Sequence, residues 1–226
     1  MKATIILASL LMIISNALHA QKSWDSTHRP NNFALKADLF RSYPDSSTDI
    51  IFLGNSITAG VDWMELLGNT HVRNRGISGD ITYGVLERLH EVIEGKPSKV
   101  FILIGINDIS RNIPDSLIVD NYRKMICRIK KGSPGTKIYV QTLMPVNNEF
   151  SNFKNHYNKD EHIHYVNNEL KKLAREENIT LIDLYPHFLN PDKKLDKKYT
   201  IDGLHLNAEG YRLWAEILKK GEYLDK

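Results

Sequence analysis

Residues 50–58 read Ile-Ile-Phe-Leu-Gly-Asn-Ser-Ile-Thr, a short apolar run that ends in a glycine and a serine. Continuous apolar runs of this kind are typical of strands that are buried on both faces of a parallel sheet. The pattern recurs at residues 100–104, 138–140 and 181–184, and a weaker version covers residues 71–75. The chain therefore predicts a central, mostly parallel sheet of five strands.

Amphipathic segments separate these runs. In four of them the apolar side chains recur at helical spacing. The members are Val85, Leu86, Leu89, Val92 and Ile93; Val119, Tyr122, Ile126 and Ile129; Ile163, Val166, Leu170 and Leu173; and Tyr211, Trp214, Ala215 and Leu218. Strands that alternate with helices predict a doubly wound α/β domain. Right-handed crossovers then bring the carboxyl ends of the strands to one edge of the sheet, where ligands bind.

The first 20 residues do not fit this domain. Lys2 precedes an apolar stretch at residues 5–14, and the small residue Ala20 ends the segment, which is the pattern of a cleaved secretory signal. The alternative is an uncleaved membrane anchor, but a membrane span needs about 20 apolar residues. We expect cleavage near Ala20 and export to the periplasm or the cell exterior.

The rest of the chain suits one globular domain, because 42% of the 226 residues are hydrophobic and 25% are charged. We expect a signal peptide at residues 1–20, a polar N-terminal extension at 21–48 that packs on the domain, and the domain itself at 49–226. No second long apolar stretch follows the signal, so we expect no integral membrane segment in the mature protein.

The net charge, the single cysteine and the histidines argue against several classes of partner and site. The formal net charge is +3, or +2 without Lys2, which gives no reason to expect a nucleic acid or an acidic membrane surface as a partner. Cys127 is the only cysteine, so no intrachain disulfide can form, and we expect it in the core. His162 and His164 lie two apart on a predicted helix and point different ways, so we expect no metal site.

Polar residues that can carry out chemistry follow the predicted strands. Ser56 comes after the first run and is lifted clear of the sheet, although a plain helix cap is the alternative for a serine there. His205 is a candidate general base, and Asp202 can orient its other ring nitrogen. The backbone N–H groups of Ser56 and Gly76 and the side-chain amide of Asn107 are candidate oxyanion donors. Hydrolysis of an ester by an activated serine needs this set of groups.

These blocks, in this order, resemble the SGNH hydrolases, also called the GDSL lipase/acylhydrolase family. The family is named for a Ser, a Gly, an Asn and a His, which match Ser56, Gly76, Asn107 and His205. Asp202 matches its triad aspartate. The resemblance implies a three-layer, flavodoxin-like α/β/α sandwich, a serine esterase that works through an acyl-enzyme, and no cofactor. The first block usually reads Gly-Asp-Ser in the family, whereas here Asn55 replaces the aspartate and removes its charge.

Within the family, residues 49–63 and 202–211 most resemble small secreted acetylhydrolases and carbohydrate O-acetylesterases. The resemblance favours a secreted enzyme that removes acetyl groups from glycans. Trp63 and Asp80 are candidate substrate-binding residues at the rim of the site, together with Asp62. A core aromatic is the alternative for Trp63, and an exposed helix cap is the alternative for Asp80.

Two other functions stay open. A lipid acylhydrolase, a lysophospholipase or a thioesterase would need an extended apolar groove, whereas the loop at residues 147–160, which we expect to border the site, is polar and rich in asparagine. A non-catalytic glycan-binding relative would be expected to lack Ser56, Asn107 or His205, and the chain has all three.

Overall fold

The computed structural model describes residues 24–225, so the expected signal peptide at residues 1–20 lies outside the described part. Residues 24–225 form one parallel sheet with the strand order β2-β1-β3-β4-β5. The strands are β1 (Ile50–Gly54), β2 (Val72–Gly76), β3 (Lys99–Leu103), β4 (Lys137–Gln141) and β5 (Thr180–Ile182). The predicted five-stranded sheet is confirmed. β5 ends two residues before its apolar run does, because the chain turns there into a 3₁₀ helix at Tyr185–Phe188.

Helices cover both faces of the sheet, as expected for the three-layer sandwich. They are α1 (Phe33–Ser42), α2 (Ser56–Ala59), α3 (Trp63–Leu67), α4 (Thr82–Glu94), α5 (Ile106–Ser110), α6 (Asp115–Gly132), α7 (Asp160–Glu176) and α8 (Ala208–Lys220). The four predicted helices are α4, α6, α7 and α8. The helices α2, α3 and α5 have only four or five residues each, which is too short for a helical period to show in the sequence.

The register of the sheet positions the site. Gly54 at the end of β1 lies opposite Gly76 of β2 and Leu103 of β3, so all three strands end at the same level. The residues that follow these strands therefore leave the sheet at one edge. Gly54 has to be a glycine, because a Cβ there would lie 2.3 Å from the carbonyl oxygen of Leu103.

The core is held together by a row of stacked aromatic rings across the sheet. Phe52 lies between Trp63 and Phe101, with ring centroids 4.2 and 4.9 Å away, and Phe101 stacks on Tyr139 at 4.5 Å. Cys127 is exposed, so its predicted place in the core is wrong. The buried face of α6 passes through Met125, Ile126 and Ile129, and Cys127 lies outside that stripe.

The described part of the N-terminal extension lies against the domain. Helix α1 contacts α4, and its Phe33 and Phe40 form a small buried cluster with Ile77, in the turn after β2. In residues 24–225 no helix is long and apolar enough to cross a membrane.

Candidate active site

Ser56 is the first residue of α2 and directly follows the end of β1. The helix is capped by its neighbour Asn55, whose Oδ1 accepts the N–H of Ile57 at 3.0 Å. The Ser56 hydroxyl is therefore not used as a helix cap. Its backbone N–H, in the first turn, has no acceptor among residues 24–225. The side chain is partly exposed, so a substrate can reach it.

His205 joins Ser56 to Asp202. Ser56 Oγ lies 2.9 Å from His205 Nε2, and His205 Nδ1 lies 2.8 Å from Asp202 Oδ2. A carboxylate only accepts, so Nδ1 carries the proton and Nε2 accepts from the serine hydroxyl. Burial opposes the charge of Asp202, but hydrogen bonds from the backbone and ring of His205 and from the backbone of Leu204 outweigh it and lower the pKa of this carboxyl.

Asn107 lies in α5, just after β3. Its Nδ2 donates to the carbonyl oxygen of Asp80 at 2.9 Å, and its Oδ1 lies 3.0 Å from Nε2 of His156. An amide nitrogen has two N–H groups, so one is left to donate to a bound group.

The sequence predicts the backbone N–H of Gly76 as an oxyanion donor, but in the structure this N–H already has a partner. Its N–H already donates to Asn74 Oδ1 at 2.8 Å, and a Cβ at Gly76 would meet the backbone of Ala59 at 2.4 Å. Gly79, three residues later, has a φ of 81° and an N–H with no acceptor among residues 24–225. It directly precedes Asp80, whose carbonyl contacts Asn107. The geometry therefore favours Gly79 over Gly76 as the second backbone donor.

Comparison with known proteins shows the family of the chain. Residues 52–213 match the model of the GDSL-like Lipase/Acylhydrolase family. The chain belongs to this family. It is therefore a carboxylic ester hydrolase.

Relatives of known name support the same class. The chain is 28% identical over 203 residues to platelet-activating factor acetylhydrolase IB subunit alpha2 of Rattus norvegicus, covering 87% of this chain and 80% of that one. A Streptococcus pneumoniae structure described as a platelet activating factor is 27% identical, with a TM-score of 0.78 over 96% of this chain and 99% of that one. The acetyl xylan esterase AlAXEase is 26% identical, with a TM-score of 0.65 over 76% of this chain and 98% of that one.

Neither Trp63 nor Asp80 lies at the rim of this GDSL-family site, so both predictions are wrong. Trp63 is 1% exposed, and its Nε1 donates to the carbonyl of Thr58 at 2.8 Å, so it is a core aromatic. Asp80 is fully buried and accepts from Arg88 Nε at 3.0 Å. Burial raises the pKa of Asp80, and the Arg88 guanidinium opposes that shift. Asp62 is exposed and caps α3 by accepting from Glu65 N.

Arg88 is the centre of a buried charge network beneath the serine. Besides pairing with Asp80, Arg88 has its Nη1 3.5 Å from Glu91 Oε1. Glu91 Oε2 in turn lies 3.1 Å from Arg75 Nε. Arg88 Nη2 also donates to the carbonyl of Gly54 at 3.1 Å. One side chain therefore joins the end of β1, which leads to Ser56, to the turn that carries Asp80.

Asp108, the neighbour of Asn107, anchors that turn from the other side. Its carboxyl accepts from the backbone N–H of Thr82 at 3.0 Å and from the Thr82 hydroxyl at 2.5 Å. Complete burial raises the pKa of Asp108 to about 7, against these hydrogen bonds. Because Thr82 begins α4, Asp108 holds the end of the segment that carries Gly79 and Asp80.

The loop at residues 147–159 borders the site and contributes three side chains that sequence reasoning missed. The ring of Phe153 packs edge-on against His205, with centroids 4.9 Å apart. His156 contacts Asn107, and Tyr157 donates its hydroxyl hydrogen to the carbonyl of Asp202. The loop has no periodicity, so only its polar composition and its position pointed to the site.

The two histidines considered as a metal pair have separate partners. His162 Nδ1 lies 2.8 Å from Asp115 Oδ2, and His164 packs against the ring of Tyr185. Among residues 24–225, no group of three or more His, Cys, Asp or Glu side chains is arranged to hold a metal ion.

Proposed function

We propose that this chain is an exported serine esterase that removes short acyl groups, above all O-acetyl groups, from carbohydrates. The hydrogen-bonded series Asp202–His205–Ser56 carries the proposal. It lies at the carboxyl edge of a parallel sheet, where the N–H groups of Ser56 and Gly79 have no acceptor among residues 24–225 and the Asn107 amide has one N–H left to donate. The acetylhydrolase and acetyl xylan esterase relatives support a small acyl group.

The geometry supports a two-step reaction. His205 Nε2 takes the proton of Ser56 Oγ as that oxygen bonds to the ester carbonyl carbon. The N–H groups of Ser56 and Gly79 and the Asn107 amide stabilise the negative oxygen that forms. His205 then gives the proton to the leaving alcohol as the ester bond breaks. Water attacks the acyl-enzyme with His205 as base, which releases the acid and restores Ser56.

The cavity next to the site favours a sugar over a lipid chain. A cavity of about 930 Å³ is lined by Ile50, Lys99 and Lys137 at the amino ends of the strands, so it lies at the edge opposite to Ser56. Beside the site lies a space of about 410 Å³ with mostly polar lining. Its residues are Ser110, Arg111, Ser151, Asn152, Phe153, Lys154, Asn155 and His156. Two of its lining residues contact the site, Phe153 at His205 and His156 at Asn107, and a polar space there suits a sugar better than a lipid chain.

Hydrolysis of p-nitrophenyl esters from acetate to palmitate tests this proposal. We expect a sharp preference for acetate that is lost in Ser56→Ala, followed by release of acetate from O-acetylated sugars. Ser98→Ala is a matched control, because Ser98 lines the large cavity at the opposite edge. A maximum at long chains would instead support the lipid acylhydrolase or thioesterase alternative. Full activity in Ser56→Ala would contradict the catalytic assignment.

Absence of activity on every ester would favour the alternative of a glycan-binding relative, and sugar binding by the purified protein would then be measured. Export is proposed from the sequence of residues 1–20. N-terminal sequencing of the protein recovered from the periplasm or medium should show a start near Gln21. A retained Met1 on a membrane-bound chain would show an anchor instead.

A further inference from the structure

We propose that His156 is a positioning residue for the ester hydrolysis inferred above, which holds the Asn107 amide so that one of its N–H groups faces the developing oxyanion. The proposal rests on the proposed function. His156 lies outside the blocks that define the family and on a loop without regular structure. Its contact with Asn107 joins residues 49 positions apart.

An asparagine amide needs help to keep one orientation, because its oxygen and nitrogen ends have nearly the same shape. Two groups in contact with Asn107 fix the orientation of its amide. The carbonyl of Asp80 can only accept, so it requires the Nδ2 end at 2.9 Å. His156 Nε2, at 3.0 Å from the other end, then has to donate to Oδ1. Rotation of the amide by a half-turn would place oxygen against oxygen and N–H against N–H.

The protonation state of the His156 ring fits the role of a hydrogen-bond donor to Asn107. Burial, followed by the charges of His205 and Arg111, lowers the pKa of His156 to about 4, so the ring is neutral near pH 7 and has one N–H. Its Nδ1 is buried with no hydrogen-bond partner among residues 24–225. A proton on Nδ1 would leave a buried donor unpaired, whereas a proton on Nε2 is bonded to Asn107.

His156 is itself held in place by its neighbours along the loop. Its ring packs edge-on against Phe153 at 5.8 Å, and Phe153 also contacts the ring of His205. The Tyr157 hydroxyl accepts the backbone N–H of Phe153 at 3.2 Å. A segment of five residues therefore supports both the oxyanion amide and the catalytic base.

A double-mutant cycle with His156→Leu and Asn107→Ala tests the coupling, with kcat and KM measured on p-nitrophenyl acetate. Removing an oxyanion donor with Asn107→Ala should lower kcat by about 10²–10³-fold. We expect His156→Leu alone to lower kcat by about tenfold or more, with little change in KM. In the Asn107→Ala background it should have almost no further effect, because nothing is left to orient. His156→Gln, which keeps an N–H donor, should recover part of the loss.

The proposal would be overturned if His156→Leu lowered kcat by the same factor in the wild type and in Asn107→Ala. It would also be overturned if His156→Leu left the kcat of the wild type unchanged. Glu149→Leu, on an exposed part of the same loop and outside the polar space, is the control for damage to the loop. Thermal unfolding checks that each variant is folded, and His156→Ala replaces His156→Leu in the cycle if the leucine does not fit. Loss of activity in Ser56→Ala is measured in parallel. An additive cycle alongside an inactive Ser56→Ala would overturn the role of His156 and leave the esterase assignment standing.

Discussion

Ser56 and the pair Asp202–His205, which form the proposed triad, reach the site by different means. Ser56 follows β1, which is buried on both faces, and its position is set by sheet hydrogen bonds and by the Asn55 cap. His205 and Asp202 lie in a segment without helix or strand, residues 200–206, of which only the ends form a bridge. The serine is therefore held by regular structure, whereas the base is held by individual hydrogen bonds, most of them to the side chains of Thr200 and Asp202.

Thr200 shows how closely the base segment depends on such bonds. Its hydroxyl donates to the carbonyl of His205 at 2.6 Å and accepts the N–H of Gly203 at 2.9 Å. Gly203 has a φ of 80°, and a Cβ there would lie 2.4 Å from the carbonyl oxygen of Asn147. The tight turn lets the carboxylate of Asp202 reach both the backbone and the ring of His205. We expect changes in this segment to act on catalysis and changes under the serine to act on stability.

The largest effect should come from Asp202→Asn. The asparagine Oδ1 can still accept from the backbone of Leu204 and His205, so the segment should keep its path. Its Nδ2 would face His205 Nδ1 and donate to it, which moves the imidazole proton to Nε2. A protonated Nε2 cannot accept from Ser56, so we expect kcat to fall by about 10⁴-fold at nearly unchanged stability.

Steady-state kinetics and thermal unfolding of this variant give the two readouts. Asp196→Asn is a matched control, because Asp196 also accepts a backbone N–H, that of Lys198, but lies away from the triad. A loss below tenfold in Asp202→Asn would mean that His205 does not need this carboxylate.

The next largest effect is expected on the serine side, with Arg88→Met. This change leaves Asp80 and Glu91 buried, and Asp80 loses its arginine partner. Removing one partner of a buried ion pair costs about 3–5 kcal/mol of stability. Burial raises the pKa of Asp80 and Arg88 opposes that shift, so folded Arg88→Met should keep the Asp80 proton to a higher pH than the folded wild type does. The penalty should therefore grow as pH rises above the ordinary range of an aspartate.

Urea unfolding at pH 5 and pH 8 measures this penalty. Arg212→Met, in the exposed pair with Glu209, is the control and should change stability by less than about 1 kcal/mol. A similarly small loss of unfolding free energy in Arg88→Met and Arg212→Met would show that the buried charge network does not stabilise the serine side of the site.

Features that depend on neighbouring residues could be predicted from the sequence, whereas features that depend on individual contacts in the fold could not. The strands, the long helices, Ser56 and Asn107 follow from apolar runs and from the residues just after them. Gly76 ends β2 and Gly79 lies three residues later in the following turn, and the sequence alone does not show that Asn74 takes up the N–H of Gly76. The burial of Asp80 and the contact of His156 depend on partners far along the chain, so no local pattern predicts them.

The smallest of these effects should come from Tyr157→Phe on the base side. The ring stays in its buried place, but the hydroxyl no longer donates to the Asp202 carbonyl or accepts from Phe153 N. Leaving such groups unpaired costs about 1–3 kcal/mol of stability. Because the lost bond holds the residue that orients His205, we expect kcat to fall by about tenfold, equivalent to about 1.4 kcal/mol in the activation barrier. The exposed Tyr165→Phe is the control, and wild-type kcat in Tyr157→Phe would show that the base segment does not need the loop.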